Sequence, residues 1–180
     1  MPEIQIRNAV ATDIQSIMAL DHSVNSDYVW QFDLQPGDDQ IGVIFREIRL
    51  PRSISIRYPK TINNLADEWN QVSAMIVAVL DGGVCGYLRL SDHIVPETSW
   101  IIDLVVDSNF RRKGIGKSLI LAAQSWAIDR KKTRIILEMS AKNNPAIRLA
   151  QKMGYEFSGY NDNYYATNDV ALFFGRSLRF

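Results

Sequence analysis

The sequence predicts a single α+β domain, because short strand patterns and longer helical patterns succeed one another along the chain. Near the amino terminus Ile4 and Ile6 alternate with polar residues, which is typical of a strand with one buried face. Farther along, Leu119 and Ala123 share the four-residue spacing of a helix packed on a core. A chain of 180 residues can bury a substantial core, and we expect residues 1–180 to form one domain.

The first third of the chain has the weakest pattern. After the opening strand, either Thr12 or Asp13 can cap a short helix. Residues 22–72 contain breaks at Pro36 and Pro51 and only an imperfect alternation of apolar and polar residues. We therefore expect a variable insert over 22–72 with limited regular structure.

From Ala74 onward the strand and helix patterns are clear. An apolar strand over 74–80 meets Asp81, Gly82 and Gly83, which are the residue types of a tight hairpin turn into a returning strand. The other predicted elements are a strand over 100–106, a helix after the glycines near 115, a strand over 134–139, a helix capped by Asn144 and begun by Pro145, and closing strands over 155–160 and 169–178.

Composition excludes several classes of protein. Lys and Arg total 20, as do Asp and Glu, so the chain lacks the basic excess of a nucleic-acid or membrane-surface binder. The one cysteine, Cys85, cannot form an intramolecular disulfide, and His22 and His93 lack the spacing of metal ligands. No signal peptide or membrane-spanning run is evident. We expect a cytoplasmic protein that needs no metal, and a homodimer is compatible with the sequence.

The stretch NFRRKGIGKSLI, residues 109–120, resembles three glycine motifs. A Walker A loop requires a first glycine where this chain has Arg111, and a dinucleotide fingerprint requires a third glycine where it has Leu119. The pattern that fits is R-x-x-G-x-G, formed by Arg111, Gly114 and Gly116 between an apolar strand and a helix. Two glycines let main-chain N–H groups approach an anion, and the helix adds roughly half a positive charge at its N-terminus.

With this pattern in place, the chain resembles the GNAT superfamily of acetyl-CoA-dependent N-acetyltransferases. Three ordered blocks carry the resemblance: IQIRNAVATDIQSI, IDLVVDSNFRRKGIGKSLI and LEMSAKNNPAIRLAQKMGYEFSGY. The resemblance implies a mixed, mostly antiparallel sheet of about six or seven strands flanked by helices, with a splay between its fourth and fifth strands. It also implies transfer of an acetyl group from acetyl-CoA, the cosubstrate, to a primary amine.

The resemblance further implies where acetyl-CoA binds. The expected contacts are Leu104, Val105, Val106, Arg111, Arg112, Lys113, Gly114, Ile115, Gly116, Lys117, Ser118, Asn143 and Ala146. In the family, a main-chain N–H on the strand before the loop polarises the thioester carbonyl, and by position that strand is 103–106. Asn143 has a second interpretation, as the cap of its own helix.

Two acids are candidates for the general base. Glu138 corresponds to a glutamate that acts as base through water in ribosomal-protein alanine acetyltransferases, which this segment resembles. Asp103 is its rival, because both are lone carboxylates in apolar strands and are costly to bury without a role or a partner. The family tyrosine that protonates the departing thiolate is replaced by Ala150 here. Tyr164 is the candidate acid, with Tyr165 beside it, and a thiolate can also leave without help.

The acceptor is less defined than the reaction. We expect a small-molecule amine in preference to a protein N-terminus, with the insert over 22–72 shaping its cleft. The aromatic residues of that insert, Tyr28, Trp30, Phe32, Tyr58 and Trp69, either recognise the acceptor or pack in the core. The loss of the family tyrosine leaves a non-catalytic acyl-CoA-binding sensor or interaction module as the alternative function.

Overall fold

The computed structural model describes residues 3–178, and that part of the chain contains nine strands and four α-helices. The strands are Gln5–Asn8 (β1), Val24–Pro36 (β2), Ile41–Ile56 (β3), Ala74–Leu80 (β4), Gly83–Val95 (β5), Thr98–Val106 (β6), Arg134–Ser140 (β7), Glu156–Asn161 (β8) and Ala171–Ser177 (β9). The helices are Ile14–Met18 (α1), Leu65–Glu68 (α2), Ile115–Asp129 (α3) and Asn144–Lys152 (α4). Within residues 3–178, every helix is too short or too polar to cross a bilayer.

Seven strands form one sheet in the order β1-β4-β5-β6-β7-β9-β8, and every pair is antiparallel except β6 with β7. The predicted hairpin joins β4 to β5, where Asp81 and Gly82 both have positive φ, at 50° and 81°. Positive φ at both central residues matches the right-handed twist of the flanking strands. The expected mixed, mostly antiparallel sheet of seven strands is confirmed.

The fourth and fifth strands of this order, β6 and β7, separate partway along their length. Their parallel pairing runs from Thr98 with Arg134 to Ile101 with Leu137 and then stops. Beyond that point β6 continues to Val106 and β7 to Ser140 without pairing to each other. We call these open stretches, 102–106 and 138–140, the splay. They leave one edge of each strand free to meet a ligand.

A β-bulge at Ile102 begins the splay. In the pairing with β5, Arg89 lies opposite Asp103 and Leu90 lies opposite Ile101, so Ile102 has no partner residue. The extra residue changes the alternation of side chains along β6. Ile101 and Leu104, three positions apart, consequently pack in the same cluster, while Asp103 is directed to the opposite face.

The insert is more regular than the sequence predicts. Strands β2 and β3 form a separate two-stranded hairpin that occupies most of residues 22–72. Pro36 and Gly37 lie at its turn, so they end a strand without disrupting one. Pro51 lies where pairing is interrupted between Ser26 with Ile54 and Tyr28 with Arg49, and its missing N–H therefore removes no ladder bond. The expectation of limited regular structure was wrong.

The sheet is covered on both faces by apolar clusters. The larger cluster lies under α3 and α4 and includes Leu119 and Ile147, both fully buried. The smaller cluster lies under α1 and α2 and includes Ile17, Leu65 and Val105. Val105 belongs to the smaller cluster, and Asp103 lies on the same face of β6 as Val105. The splay therefore lies between the two packed layers.

Candidate active site

The loop before α3 presents main-chain amides toward one point. Gly114 caps the helix in the left-handed conformation with a φ of 85°, and Arg112 also has a positive φ of 65°. Across residues 3–178, the amides of Ile115, Gly116 and Lys117 have no hydrogen-bond acceptor in the chain, whereas the amide of Ser118 starts the helical ladder. These free donors and the helix dipole make the start of α3 suited to a phosphate group.

Arg111 has a different task from the one expected of its side chain. Its guanidinium donates to the main-chain carbonyl of Val106 at 2.9 Å, and to those of Asp21 and Ser23 at 3.2 and 2.5 Å. The side chain therefore ties the end of β6 to the loop between α1 and β2. The neighbouring cations Arg112, Lys113 and Lys117 are exposed and remain the side chains available to a diphosphate.

Packing against α4 favours glycine at position 116. A Cβ at this position would lie 3.1 Å from Cδ2 of Leu149 in α4, closer than ordinary contact. Ile115 is buried in the core, so only its main chain can meet a cofactor. On β6, Leu104 and Val106 are partly exposed while Val105 is buried. The side chains of Leu104 and Val106 are therefore available to line a cofactor's arm, whereas that of Val105 packs in the core.

Asn143 caps α4, as its second interpretation predicts. Its side-chain oxygen accepts a hydrogen bond from the amide of Ala146 at 3.2 Å. The sequence expectation that Asn144 is the cap was wrong by one residue, since Asn144 begins the helix. Its side chain instead accepts from the Trp30 indole at 2.9 Å, which fixes the β2–β3 hairpin against α4.

Both candidate bases, Asp103 and Glu138, lie at the splay on opposite sides of one ammonium group. The Lys60 Nζ is 2.9 Å from Oε1 of Glu138 and 3.5 Å from Oδ1 of Asp103. It also donates to the main-chain carbonyl of Ile102, at the bulge. We call Asp103 and Glu138 the acid pair. Each carboxylate side chain is only 2% exposed, so neither is solvated by bulk water.

Asp103 is held by further partners. Arg89, itself buried, forms an ion pair with Oδ2, and the Tyr58 hydroxyl donates to Oδ1. Burial is the main reason that the pKa of Tyr58 is raised, and the negative charge of Asp103 raises it further. This hydroxyl therefore keeps its proton. Each oxygen of the Asp103 carboxylate thus has a partner, Arg89 on Oδ2 and Tyr58 on Oδ1.

Glu138 has a different set of partners. The hydroxyl of Tyr164 donates to Oε2 at 3.1 Å and that of Tyr165 to Oε1 at 3.3 Å. Burial is the main cause that raises the pKa of Tyr164 to about 12, and the negative charge of Glu138 adds to it. The same two causes raise the pKa of Tyr165. Tyr165 is buried, but Tyr164 is 41% exposed. Among residues 3–178, Glu138 therefore has one protonated, accessible phenol beside it and no arginine on either oxygen.

An open cleft of about 420 Å³ leads to this cluster. Its walls come from the loop after α1 and from the segment after β3. The lining residues are Leu20, Asp21, His22, Ser23, Arg57, Tyr58, Lys60, Thr61, Ile62 and Asn63. Tyr58 and Lys60 line the cleft and also contact the acid pair, so these two side chains connect the cleft wall to the buried carboxylates.

His22 supports this wall from inside. Its Nδ1 lies 2.7 Å from the Leu20 carbonyl and its Nε2 lies 3.2 Å from the Tyr87 hydroxyl. The ring is 6% exposed, and burial lowers the pKa of His22. The imidazole is consequently neutral near pH 7 and acts as a hydrogen-bonded packing group.

Several members of the cluster were not expected from the sequence. Lys60 and Arg89 were absent from the predicted site, and Tyr58 was noted only as one aromatic of the insert. An arginine in the buried strand β5 was the one usable signal, because a buried guanidinium requires an acidic partner. Lys60 gave none, since a lysine beside a proline in a loop is ordinarily solvated.

Comparison with known proteins gives concordant matches. The model of the acetyltransferase (GNAT) family matches residues 44–155. N-acetylaspartate synthetase of Homo sapiens is 33% identical over 92 residues, which cover 51% of this chain and 30% of that protein. Streptothricin acetyltransferase of Streptomyces lavendulae is 28% identical over 166 residues, which cover 89% of this chain and 86% of the relative.

Among solved structures, nourseothricin acetyltransferase superposes with a TM-score of 0.82 at 24% identity, covering 98% of this chain and 99% of that chain. This likeness concerns the fold. The matched segment spans less than a third of the human synthetase, at 30% of its length, but nearly the whole of the streptothricin enzyme.

Proposed function

Because the chain belongs to the acetyltransferase (GNAT) family, we propose that it transfers the acetyl group of acetyl-CoA to a primary amine of a small molecule. The observation that carries this proposal is the buried Glu138 carboxylate, which lies at the splay and contacts Lys60 of the cleft wall. A carboxylate withdrawn from bulk water at the open edge of the sheet is suited to take a proton from an incoming amine.

The cofactor is expected to lie between the free amides of α3 and the open edge of β6. The amides of Ile115, Gly116 and Lys117 are available for its diphosphate, with the exposed cations of the loop adding long-range attraction. The main chain over 103–106, which β7 does not pair, is available to donate an N–H to the thioester oxygen. Such a donor contributes a few kcal/mol to stabilising the developing oxyanion, about 3 in comparable sites.

Glu138 is favoured over Asp103 as the base because of their partners. Asp103 is bound by the Arg89 guanidinium and the Tyr58 hydroxyl, and proton uptake there would leave Arg89 buried without its counter-charge. Glu138 has the accessible Tyr164 hydroxyl on one oxygen. Tyr164 is therefore proposed as the group that protonates the thiolate. It would take the role of the family tyrosine, whose position is occupied by Ala150 in this chain.

A small acceptor is supported by the size of the cleft, about 420 Å³, which fits a compact molecule better than a folded chain terminus. It is also supported by the streptothricin acetyltransferase match over most of both chains. The segment after the β2–β3 hairpin supplies one wall of the cleft. The single domain, the cytoplasmic setting and the homodimer stay predictions.

The test is release of free thiol from acetyl-CoA across a panel of small primary amines. We expect turnover with at least one amine and its loss in the Glu138→Gln chain. Binding of acetyl-CoA with no turnover on any amine would favour the alternative, a non-catalytic acyl-CoA sensor. Failure of the chain to bind acetyl-CoA would overturn both.

A further inference from the structure

The ε-ammonium of Lys60 occupies the place that an acceptor amine requires. It lies 2.9 Å from the proposed base Glu138 and 3.5 Å from Asp103. Its third contact is the Ile102 carbonyl, at the first residue of the splay. An acceptor ammonium needs the same surroundings: a base to take its proton, a negative charge to hold it, and a position beside the open edge of β6.

Lys60 reaches this place from the cleft. Its side chain is 25% exposed, while the carboxylates that it bridges are 2% exposed. It also lines the cleft through which a small acceptor would enter. The lysine thus spans from the solvent side of the wall to the reacting position, as a bound substrate amine would.

The other lysines that form ion pairs in the described part of the chain lie elsewhere. Lys142 pairs with Asp169, and Lys132 lies 3.4 Å from Asp92. Neither acid belongs to the open stretches of β6 and β7. Lys60 is therefore set apart by position as well as by partners.

We propose that Lys60 is a self-acetylation site, an inference that rests on the proposed function. Glu138 takes a proton from the ammonium group, and the neutral nitrogen attacks the thioester carbonyl carbon. A C–N bond forms, the C–S bond breaks, and the thiolate takes a proton to leave as free coenzyme A. Of the three ammonium protons, one stays on the amide nitrogen, one is the equivalent of the proton on the thiol, and one is released, so one thioester and one lysine ammonium give one acetyl-lysine, one thiol and one proton.

Acetylation would change the charge of the site. The amide that forms carries no charge, so the acid pair loses the cation that bridges it. Asp103 keeps its ion pair with Arg89, but Glu138 becomes a buried carboxylate without a cation, and such a group attracts a cationic guest strongly. The modified chain would thus present an anionic site at the end of the cleft to a cationic acceptor.

The experiment incubates the full chain with acetyl-CoA and no acceptor and then maps acetyl-lysine by mass spectrometry after trypsin digestion. Trypsin does not cleave after acetyl-lysine, so modification replaces the peptide 61–89 by 58–89. We expect acetylation at Lys60 to be at least about tenfold faster than at Lys142, because the amine is held at the reacting position. Lys142 serves as the internal measure of uncatalysed chemical acetylation.

The Glu138→Gln chain should lose the excess at Lys60 and keep the rate at Lys142. Equal rates at the two lysines in the unaltered chain would overturn the inference whether or not the variant folds. Failures of the inference and of the proposed function are distinguishable with the amine panel. Turnover of an amine with Lys60 unmodified removes only the inference, whereas bound acetyl-CoA with neither outcome removes both.

Discussion

The anion-binding loop before α3 and the acid pair at the splay meet at β6, yet they are built in opposite ways. The loop uses consecutive residues and main-chain groups, the free amides of Ile115, Gly116 and Lys117. The acid cluster uses side chains from distant segments, with Lys60 from the insert, Asp103 from β6 and Glu138 from β7. Under the proposed function, cofactor binding depends on local structure, whereas selection and deprotonation of the acceptor depend on tertiary structure.

This difference predicts how each region responds to substitution. A side-chain change in the loop acts indirectly, through backbone conformation, packing or long-range charge. A change in the acid pair removes the reacting atoms or leaves a partner charge buried. The substitutions below test this contrast, from the largest expected effect to the smallest.

Glu138→Gln should have the largest effect on turnover. It keeps the shape of the side chain and removes the proposed base, so we expect kcat to fall about 10²- to 10⁴-fold at pH 7. The dissociation constant of acetyl-CoA, measured by calorimetry, should stay unchanged. Glu156→Gln, at an exposed position of β8, is the matched control and should retain full turnover. Normal turnover in the Glu138 variant would transfer the assignment to Asp103.

Asp103→Asn should act mainly on stability. It leaves the buried guanidinium of Arg89 without its ion-pair partner, and we expect the free energy of unfolding to fall by about 3 kcal/mol. Urea titration measures this, with Asp33→Asn as the control. Asp33 pairs with Arg46 on the surface, so its loss should change stability by less than about 1 kcal/mol. Adding Arg89→Met to Asp103→Asn should recover part of the loss, and no recovery would contradict the explanation.

Gly116→Asp should weaken acetyl-CoA binding at least about tenfold, because it puts a negative charge beside the start of α3. The added Cβ also meets Leu149 at 3.1 Å, so packing contributes to the effect. Gly116→Ala adds the same Cβ without the charge, and the difference between the two dissociation constants isolates the electrostatic part. Equal affinities in the two variants would mean that the diphosphate does not lie there.

The smallest effect concerns pH. Burial lowers the pKa of His22 in the folded chain, so below about pH 6.5, its ordinary value, the unfolded chain binds a proton that the folded chain resists. Stability should therefore fall as pH drops from 7.5 to 5.5, with His22 contributing to the loss. His22→Gln should show a shallower decline in urea titrations at the two pH values. An identical pH slope would show that the ring protonates freely in the fold.

The same contrast explains what the sequence could predict. Strong local signals identified the turn at Asp81 and Gly82, the strands β4 to β7 and the glycines before α3. Glu138 and Asp103 were found because an acid in an apolar strand is conspicuous. The β2–β3 hairpin was missed because its inner face packs against α4 and β8 through rings such as Phe32 and Phe45, contacts that local alternation does not reveal.

Lys60, the partner that the two acids share, could not have been predicted. The contacts of Lys60 with Asp103 and Glu138 depend on how the insert returns across the sheet, and no spacing in the sequence encodes that path. The side-chain contacts of Arg111 could not be predicted for a related reason, and its role in cofactor binding stays a prediction. Its motif position suggested phosphate binding, but the fold brings the carbonyls of Asp21 and Ser23 within reach of its side chain.

The extra residue at Ile102 has a consequence for any attempt to shorten or redesign this strand. If Ile102 paired regularly with Arg89, alternation along β6 would be strict, and Asp103 would point to the other face of the sheet, into the layer beneath α3. Arg89 and Tyr58 would then face an empty place, and Lys60 would keep only one of its two anions. The position of the proposed reacting centre thus depends on one bulged residue in β6. Keeping every polar side chain of the site would not preserve it if that bulge were lost.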